Sequence, residues 1–359
     1  MNKIKIFFMV IAVGFAMSSC SSFNYQQATV LVSQVINEYL LKSEADNGKI
    51  KVEDTADALY ISKSRIENKT IIVTDSKGNE IQYTVKGVCV APDIDGKMYF
   101  QTYKERIPLI KSINANSIRT YRPFGAKNDD GSLNYANTLL MLDECAREGI
   151  SVAVGFSYED MAPNGAMEEY LKDFGTHPAI LMVVLGNEYN YHYGEWFTKA
   201  EWFSRLAYGI KTARTYAPGR IVATVHGEVP KKQEFDEYAA AGLDLVMMNI
   251  YRGSNFGFAK QDFYKMTDTM PWIVSEFGRS SRDGKGNDTS KQQASYLQSL
   301  IRSLETGGYL FMLVDDPEKG PQELSSIIGA EDSLGVFTFD LTPKIAAGIV
   351  MEEYQAKSK

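Results

Sequence analysis

The chain has 359 residues, which is enough for one large α/β domain with an extension. Apolar residues make up 44% of it and charged residues 23%, the balance of a globular protein with a sizeable core. The formal net charge is -7, and no basic patch is available to neutralise phosphates. The composition therefore argues against a nucleic-acid-binding protein.

The first twenty residues have the pattern of an export signal. Lys3 and Lys5 precede an apolar stretch over residues 6–16, and small residues then lead to Cys20. The apolar stretch is too short to span a bilayer as a permanent helix, so we expect residues 1–19 to be removed. The segment resembles a bacterial lipoprotein signal, which implies lipidation of Cys20, and a plain secretory signal is the alternative. We therefore expect an exported lipoprotein of the cell envelope, attached to the membrane only through this N-terminal anchor.

Residues 20–83 form a separate segment between the signal and the rest of the chain. The pattern predicts a helix over residues 28–41 and a hairpin whose strands cover residues 70–74 and 81–85, around a turn at 76–79. The segment is either an accessory layer beneath the following domain or a spacer from the lipid anchor.

From residue 84 onward, strand-like and helix-like segments alternate to the end of the chain. Amphipathic stretches separate the strands, as where Ile107, Ile110 and Ile113 recur at helical spacing. Eight such units predict an α/β protein with a (β/α)8 TIM barrel over residues 84–359 and a short N-terminal extension. The eight predicted strands cover residues 87–91, 117–124, 151–158, 180–187, 220–226, 244–251, 272–276 and 309–315.

Two glutamates, Glu188 and Glu276, follow apolar runs that read as buried parallel strands. A carboxylate at a strand end with no cation beside it in the sequence is costly to place there. Glu188 closes the fourth predicted strand and Glu276 the seventh, and catalytic groups of such barrels lie at the carboxyl ends of strands. The sequence therefore predicts a carboxylate pair for acid/base and nucleophilic chemistry on one bond.

Five stretches of sequence carry a resemblance to a known group of enzymes. In their order and strand positions, the chain resembles a retaining glycoside hydrolase of the (β/α)8 clan A, nearest to the catalytic barrel of glycoside hydrolase family 2. The resemblance implies cleavage of a β-linked glycan by double displacement, with Glu188 as acid/base and Glu276 as nucleophile. Retention then requires the two carboxyl groups to lie about 5–5.5 Å apart. The five stretches are residues 85–88, 114–120, 176–188, 248–251 and 271–278.

The same resemblance implies roles for residues around the carboxylates. Arg119 would hold the nucleophile anionic, although a salt bridge at the barrel rim is the alternative. Asn187 would donate to the sugar 2-hydroxyl, and Tyr251 would hydrogen-bond the nucleophile. Asn249 is expected to face the barrel wall.

Four further residues are candidates for substrate contact. His226 ends the fifth predicted strand and either contacts substrate, tunes Glu188 or is structural. Trp196 lies in an aromatic loop after Glu188 that suits a leaving-group subsite. Phe311 is the nearest aromatic residue where the clan has a tryptophan under the reactive sugar. Asp315 follows it and could contact sugar hydroxyls, or its neighbour Asp316 could simply cap a turn.

Two other functions stay open from the sequence. The chain is also similar to β-1,3-glucanosyltransferases through residues 117–121, 249–251 and 275–278, which would make it a transglycosylase with the same site. The absence of the clan tryptophan motivates a second alternative, a catalytically weak glycan-binding surface lipoprotein.

Cys89 and Cys145 are expected to be buried unpaired thiols, and the spacing of His and Cys suggests neither a metal site nor a cofactor.

Overall fold

Eight parallel strands close into a barrel in a computed structural model of the protein, which describes residues 58–90, 106–125 and 132–357. Each strand pairs with the next in the chain, and the eighth pairs with the first. The predicted (β/α)8 barrel is therefore confirmed. In order, the barrel strands are Val85–Cys89, Ser117–Arg119, Ser151–Phe156, Ile180–Leu185, Ile221–Gly227, Leu245–Asn249, Val274–Phe277 and Gly307–Leu310.

The barrel strands are apolar because both of their faces are covered. All six residues of Ile180–Leu185 are buried, as expected for a strand between an inner core and a layer of helices. Along this strand Val183 belongs to the core between strands and helices, whereas Met182 and Val184 belong to the core inside the barrel. The alternation of side chains along a strand explains this division.

Helices follow the barrel strands on the outside. The first is helical over residues 106–112, and Trp202 anchors the fourth by full burial. The fourth helix begins with a capping box in which Thr198 and Glu201 satisfy each other's backbone N–H groups. The second to eighth helices are, in chain order, Tyr135–Arg147, Ala166–Phe174, Lys199–Tyr216, Lys232–Ala240, Ala259–Tyr264, Ser290–Ser303 and Ile345–Ala356.

A three-stranded antiparallel sheet covers the amino end of the barrel. Its strands are Ile61–Glu67, Thr70–Asp75 and Glu80–Tyr83. The backbone N–H of Ile61 donates to the Pro178 carbonyl at 2.9 Å, just before the fourth barrel strand, and the Ser64 hydroxyl donates to the Leu181 carbonyl at 2.5 Å. Ile61 and other residues of the sheet join the core inside the barrel. The described part of the N-terminal segment is therefore an accessory layer.

Several sequence-based boundaries need correction. The hairpin is present, but its second strand ends at Tyr83, and Val85 belongs to the first barrel strand. The strand Ile61–Glu67 was not predicted. The eighth barrel strand begins at Gly307 and ends at Leu310 rather than covering residues 309–315, because the N–H of Met312 turns away to the Leu334 carbonyl.

Other predictions concern the thiols, the membrane and the N-terminus. Cys89 and Cys145 are buried and unpaired, as predicted. Within the described ranges, no helix combines the length and apolar character needed to span a bilayer. Residues 1–19, Cys20 and the helix predicted over 28–41 lie outside the described residues.

Short elements near the barrel mouth are the strands Glu323–Ser325 and Gly329–Ala330 and the 3-10 turns Tyr189–His192, Pro317–Lys319 and Glu331–Ser333.

Candidate active site

Glu188 and Glu276 lie at the same mouth of the barrel, where the strands end. Glu276 is within the seventh barrel strand and is 7% exposed, whereas Glu188 follows the fourth strand, which ends at Leu185. The backbone N–H of Glu188 donates to the Val225 carbonyl of the fifth strand at 3.1 Å. This bond keeps Glu188 at the strand ends rather than in an outer loop.

The chain turns sharply between the fourth strand and Glu188. Gly186 has φ +77°, and a Cβ there would lie 2.6 Å from the Trp202 ring, so the position requires glycine. Glu188 itself has φ +56°, a left-handed conformation that is uncommon for a non-glycine residue. Such strain is frequent at functional sites, where surrounding contacts over-determine the backbone.

Three donors surround the carboxylate of Glu276. Arg119 Nη1 donates to its Oε1 at 2.8 Å, and the Tyr121 hydroxyl donates to the same oxygen at 2.6 Å. The Tyr251 hydroxyl donates to Oε2 at 3.2 Å. Burial, and then the negative charge of Glu276, raise the pKa of Tyr251 well above its usual value, so this phenol stays protonated and donates. Each oxygen of Glu276 is thus held by at least one donor, and one of the donors is a cation.

Arg119 connects Glu276 to the residue before Glu188. It is 1% exposed, and besides Glu276 its Nη1 donates to the Ser275 carbonyl at 2.9 Å. Its Nη2 donates to Asn187 Oδ1 at 2.7 Å. The guanidinium carbon also lies 4.5 Å from the centre of the Tyr121 ring. The planar fork of donors suits this bridging position, because its two NH2 groups point to different partners.

Asn249 joins Glu188 to this network, and its position corrects a sequence-based expectation. Asn249 Nδ2 donates to Glu188 Oε1 at 2.9 Å and to Asn187 Oδ1 at 3.1 Å. The Ser275 hydroxyl donates to Asn249 Oδ1 at 2.8 Å, which fixes the orientation of the amide. Asn249 therefore faces the site and not the barrel wall. Period-two alternation with Tyr251 was the signal that could have placed both on one face.

The environment of Glu188 has the opposite effect on its charge. Burial, followed by the nearby negative charge of Glu276, raises the pKa of Glu188 above its ordinary value, while the Asn249 donor acts the other way. The net effect favours a proton on Glu188. The site therefore combines a carboxylate held by three donors with a carboxyl group inclined to hold a proton. Their separation of about 5–5.5 Å stays a prediction.

Asn187 has only one kind of group left for a ligand. Its side-chain carbonyl oxygen accepts from both Arg119 and Asn249. Because an amide side chain has one acceptor oxygen and one NH2 group, the NH2 group remains to donate. This orientation matches the donor role expected for Asn187 from the sequence.

His226 is occupied by the protein on both sides of its ring. Its Nδ1 lies 2.8 Å from the Glu228 carbonyl, and its Nε2 lies 3.3 Å from a carboxylate oxygen of Glu234. Tyr193, from the loop after Glu188, donates to the other oxygen of Glu234 at 2.8 Å. His226 is only 5% exposed. These contacts favour the structural alternative for His226.

Asp315 is not brought to the two glutamates. Its Oδ1 accepts from Lys344 Nζ at 2.6 Å and from the Gly335 N–H at 2.9 Å. Together with Ser281 and Arg282, it lines a separate polar cavity of about 360 Å³. The eighth strand ends at Leu310, so the chain has already left the barrel ladder when it reaches Asp315.

The two aromatic candidates have different environments. The ring of Phe311, which directly follows the eighth strand, meets the Tyr121 ring edge-on with the centres 6.2 Å apart. Phe311 therefore lies beside Tyr121, which donates a hydrogen bond to Glu276. Trp196 is 61% exposed and stacks on His192, with the ring centres 3.5 Å apart. It belongs to the aromatic loop after Glu188.

The chain was compared with family models, curated proteins and solved structures. No family model matches it, and no curated protein is similar to it. Solved structures that it resembles include three β-glucuronidases. The enzyme from Dictyoglomus thermophilum is 17% identical with a TM-score of 0.56, covering 82% of this chain and 53% of that one.

The other two neighbours come from Bacteroides uniformis and Parabacteroides merdae. The β-glucuronidase from Bacteroides uniformis is 17% identical with a TM-score of 0.56, covering 78% of this chain and 36% of that one. The β-glucuronidase from Parabacteroides merdae is 16% identical with a TM-score of 0.54, covering 79% of this chain and 38% of that one. The chain thus spans about half or less of the length of these structures. At this identity the likeness establishes a shared fold: the chain has a (β/α)8 barrel similar to those of the β-glucuronidases.

Proposed function

We propose that the protein is a retaining glycoside hydrolase that cleaves a β-linked oligo- or polysaccharide by double displacement. The observation that carries the proposal is the contrast between two carboxyl groups at one barrel mouth. Glu276 accepts hydrogen bonds from Arg119, Tyr121 and Tyr251, whereas the pKa of Glu188 is raised by burial and by Glu276. Such a pair supplies a nucleophile and a general acid.

In the first step, Glu188 gives its proton to the glycosidic oxygen while Glu276 attacks the anomeric carbon. The bond from that carbon to the leaving oxygen breaks, and a covalent glycosyl ester forms on Glu276. In the second step, the Glu188 carboxylate takes a proton from water, whose oxygen displaces Glu276. The configuration at the anomeric carbon is inverted twice and therefore retained. The Asn187 NH2 group would donate to the 2-hydroxyl in both steps.

The experiment begins with 4-nitrophenyl β-glycosides, with the glucuronide first because the structural neighbours are β-glucuronidases. Glu276→Ala should lose activity by a factor on the order of 10⁴–10⁶, the scale for removing a nucleophile. Azide should restore part of it and give a glycosyl azide of inverted configuration. Glu169→Ala, an exposed position on an outer helix, is the matched control. Undiminished turnover in Glu276→Ala, or a parent inactive on every β-glycoside, contradicts the proposal.

A transglycosylase is a second candidate because exposed rings lie beside Glu188. Tyr191 and Trp196 are 57% and 61% exposed, and aromatic faces there could hold a sugar acceptor in place of water. Product analysis on a laminari-oligosaccharide separates the two activities, since transfer yields longer products. A weak glycan-binding protein would instead show binding without turnover, and the intact carboxylate pair argues against it.

We also propose that the mature chain is an envelope lipoprotein anchored through Cys20, on the basis of the N-terminal sequence pattern. Labelling of bacterial cells with a palmitate analogue should tag the full chain, and Cys20→Ala should abolish the label. Labelling that persists in Cys20→Ala would contradict the anchor.

A further inference from the structure

We propose that Tyr191, Glu228 and Arg252 form a subsite for the leaving group, and that the leaving group it binds is a sugar. This inference rests on the proposed glycosidase function and assigns three residues of this chain to the leaving-group side of the same site. The subsite would hold the sugar on the far side of the scissile bond, next to the proton donor Glu188.

The turn that carries Tyr191 is fixed to the neighbouring strand. Asn190 Nδ2 donates to the Gly227 carbonyl at 3.1 Å, and the Gly227 N–H donates to Asn190 Oδ1 at 2.7 Å. The Tyr191 N–H donates to the Glu188 carbonyl at 3.0 Å. The backbone next to the proton donor is thus held in place on two sides, which is the preorganisation that a binding site needs.

The Tyr191 ring lies against the backbone of Gly227. A Cβ at Gly227 would come within 2.1 Å of the ring, so only glycine allows this contact. The residue is nevertheless 57% exposed. One side of the ring is therefore supported by the end of the fifth barrel strand, and the rest is open to solvent. A supported, open aromatic ring is a surface on which the C–H face of a sugar can pack.

The ring is close enough to Glu188 for the two groups to interact electrostatically. Burial raises the pKa of Tyr191, and the negative charges of Glu188 and Glu228 raise it further, while Arg252 opposes them. All three charged groups therefore lie near the phenol. Since Glu188 must reach the leaving oxygen, a ring beside it is placed to contact the leaving group.

Glu228 and Arg252 supply the polar part of the subsite. Glu228 directly follows Gly227, and its N–H donates to the Asn249 carbonyl at 3.0 Å. Its carboxylate forms an ion pair with Arg252 Nε, and both side chains are about one-third exposed. The Arg252 NH2 groups and the free lone pairs of Glu228 can bond to hydroxyl groups.

This combination favours a sugar over an apolar aglycone. A sugar offers hydroxyls around its rim to a carboxylate and a guanidinium, and an apolar face to the ring. An apolar group would cover the ion pair without replacing its water, which is unfavourable. The chemistry therefore points to an oligosaccharide substrate.

The test compares substrates that share the glycosyl group but differ in the leaving group. The pairs are laminaribiose with β-glucosyl fluoride, and a β-glucuronyl disaccharide with β-glucuronyl fluoride. Tyr191→Ala should lower the kcat/KM ratio of disaccharide to fluoride by about tenfold, the scale of one aromatic contact. Gly227→Ala should lower it similarly by displacing the ring, and Arg252→Met by about threefold.

Tyr135→Ala is the control, because Tyr135 is also exposed but packs beside Phe174 on the outer helices, 5.0 Å between ring centres. Its ratio should equal that of the parent. Equal losses on disaccharide and fluoride in the Tyr191 and Arg252 variants would show a structural role and overturn the subsite.

If the parent hydrolyses neither pair, the proposed function fails for these sugars, and the subsite is judged by binding. Calorimetric titration of both disaccharides into Glu276→Ala should then show about tenfold weaker binding in the double variant with Tyr191→Ala. Binding that is absent, or unchanged by Tyr191→Ala, overturns the subsite independently of turnover.

Discussion

Glu276 and Glu188 have the same side chain but different surroundings. Glu276 receives donors from three side chains, one of them a buried guanidinium. Among the residues that the structure describes, Glu188 receives one donor, the neutral amide of Asn249. Burial and the charge of Glu276 raise its pKa, and Asn249, Arg119 and His192 oppose them. Two identical side chains therefore have different environments at one barrel mouth, and the proposed assignment of nucleophile and acid follows from their neighbours.

The two environments are also coupled. Arg119 bonds both Glu276 and Asn187, and Asn249 bonds both Asn187 and Glu188. The chain of hydrogen bonds thus runs from one carboxylate to the other through Asn187. Removing a member on one side should change that side most, which the following variants examine.

Among variants that keep Glu276, removal of the Glu188 carboxyl group should give the largest effect. Glu188→Ala is expected to lower kcat/KM on a glycoside with a poor leaving group by about 10²–10⁴-fold, the scale of general acid catalysis. The loss on a 2,4-dinitrophenyl glycoside should be far smaller in the first step, because that leaving group needs no proton. Equal losses on both substrates would assign Glu188 another role.

Removing the cation on the nucleophile side should come next. Arg119→Met leaves the buried Glu276 carboxylate without its charged partner. We expect kcat/KM to fall by roughly 10²–10³-fold, the scale for removing one preorganised donor from an active site. Arg122→Met is the matched control, since Arg122 pairs with Asp160 and not with the site. A thermal unfolding midpoint measured for both separates the loss of activity from the loss of folding. Comparable kcat/KM in the two variants would refute the role of Arg119.

The two phenols test which oxygen of Glu276 matters more. Tyr121→Phe and Tyr251→Phe should each lower kcat/KM by about tenfold, as expected for a hydrogen bond to a charged group. The loss should be larger for Tyr121, whose hydroxyl lies 2.6 Å from Oε1, than for Tyr251 at 3.2 Å from Oε2. The reverse order would show that the shorter contact does not carry the greater stabilisation.

The smallest effect concerns pH. A general acid must be protonated, so kcat/KM should fall as the pH rises through the pKa of Glu188, which lies above its ordinary value. Asn249 donates to the ionised form of Glu188, so Asn249→Leu should raise that pKa further and move the alkaline limb upward. Ser275→Ala, which frees the amide of Asn249, should move the limb in the same direction but less. A downward move would contradict the assigned orientation of Asn249.

Much of this arrangement follows from the sequence by simple rules. Apolar runs located the barrel strands, and the rule that parallel strands present their carboxyl ends together brought Glu188 and Glu276 to one mouth. The roles expected for Arg119, Asn187 and Tyr251 came from the family resemblance and not from these rules. The left-handed backbone at Glu188 had no sequence signal of its own.

Other contacts depend on chain segments far apart in sequence and could not be predicted. The sequence predicted Asp315 at the end of the eighth strand. The residue instead bonds to Lys344, which lies 29 residues further along the chain. The strand Ile61–Glu67 alternates apolar and polar residues too weakly to be recognised, because buried Ser64 takes a place where an apolar residue is usual. Tyr121 was missed although the predicted second strand covered residues 117–124. Its spacing of two residues from Arg119 was the signal that could have placed both side chains on one face.

The three-stranded sheet at the amino end also constrains the order in which the molecule can assemble. The Ser64 hydroxyl bonds to Leu181 and Ile221, partners 117 and 157 residues later in the chain. During synthesis these contacts of the sheet therefore cannot all form until the fifth strand has emerged from the ribosome. A chain shortened to start at Val85 would expose the apolar interior that Ile61, Ile71 and Val73 seal, and aggregation is its expected fate.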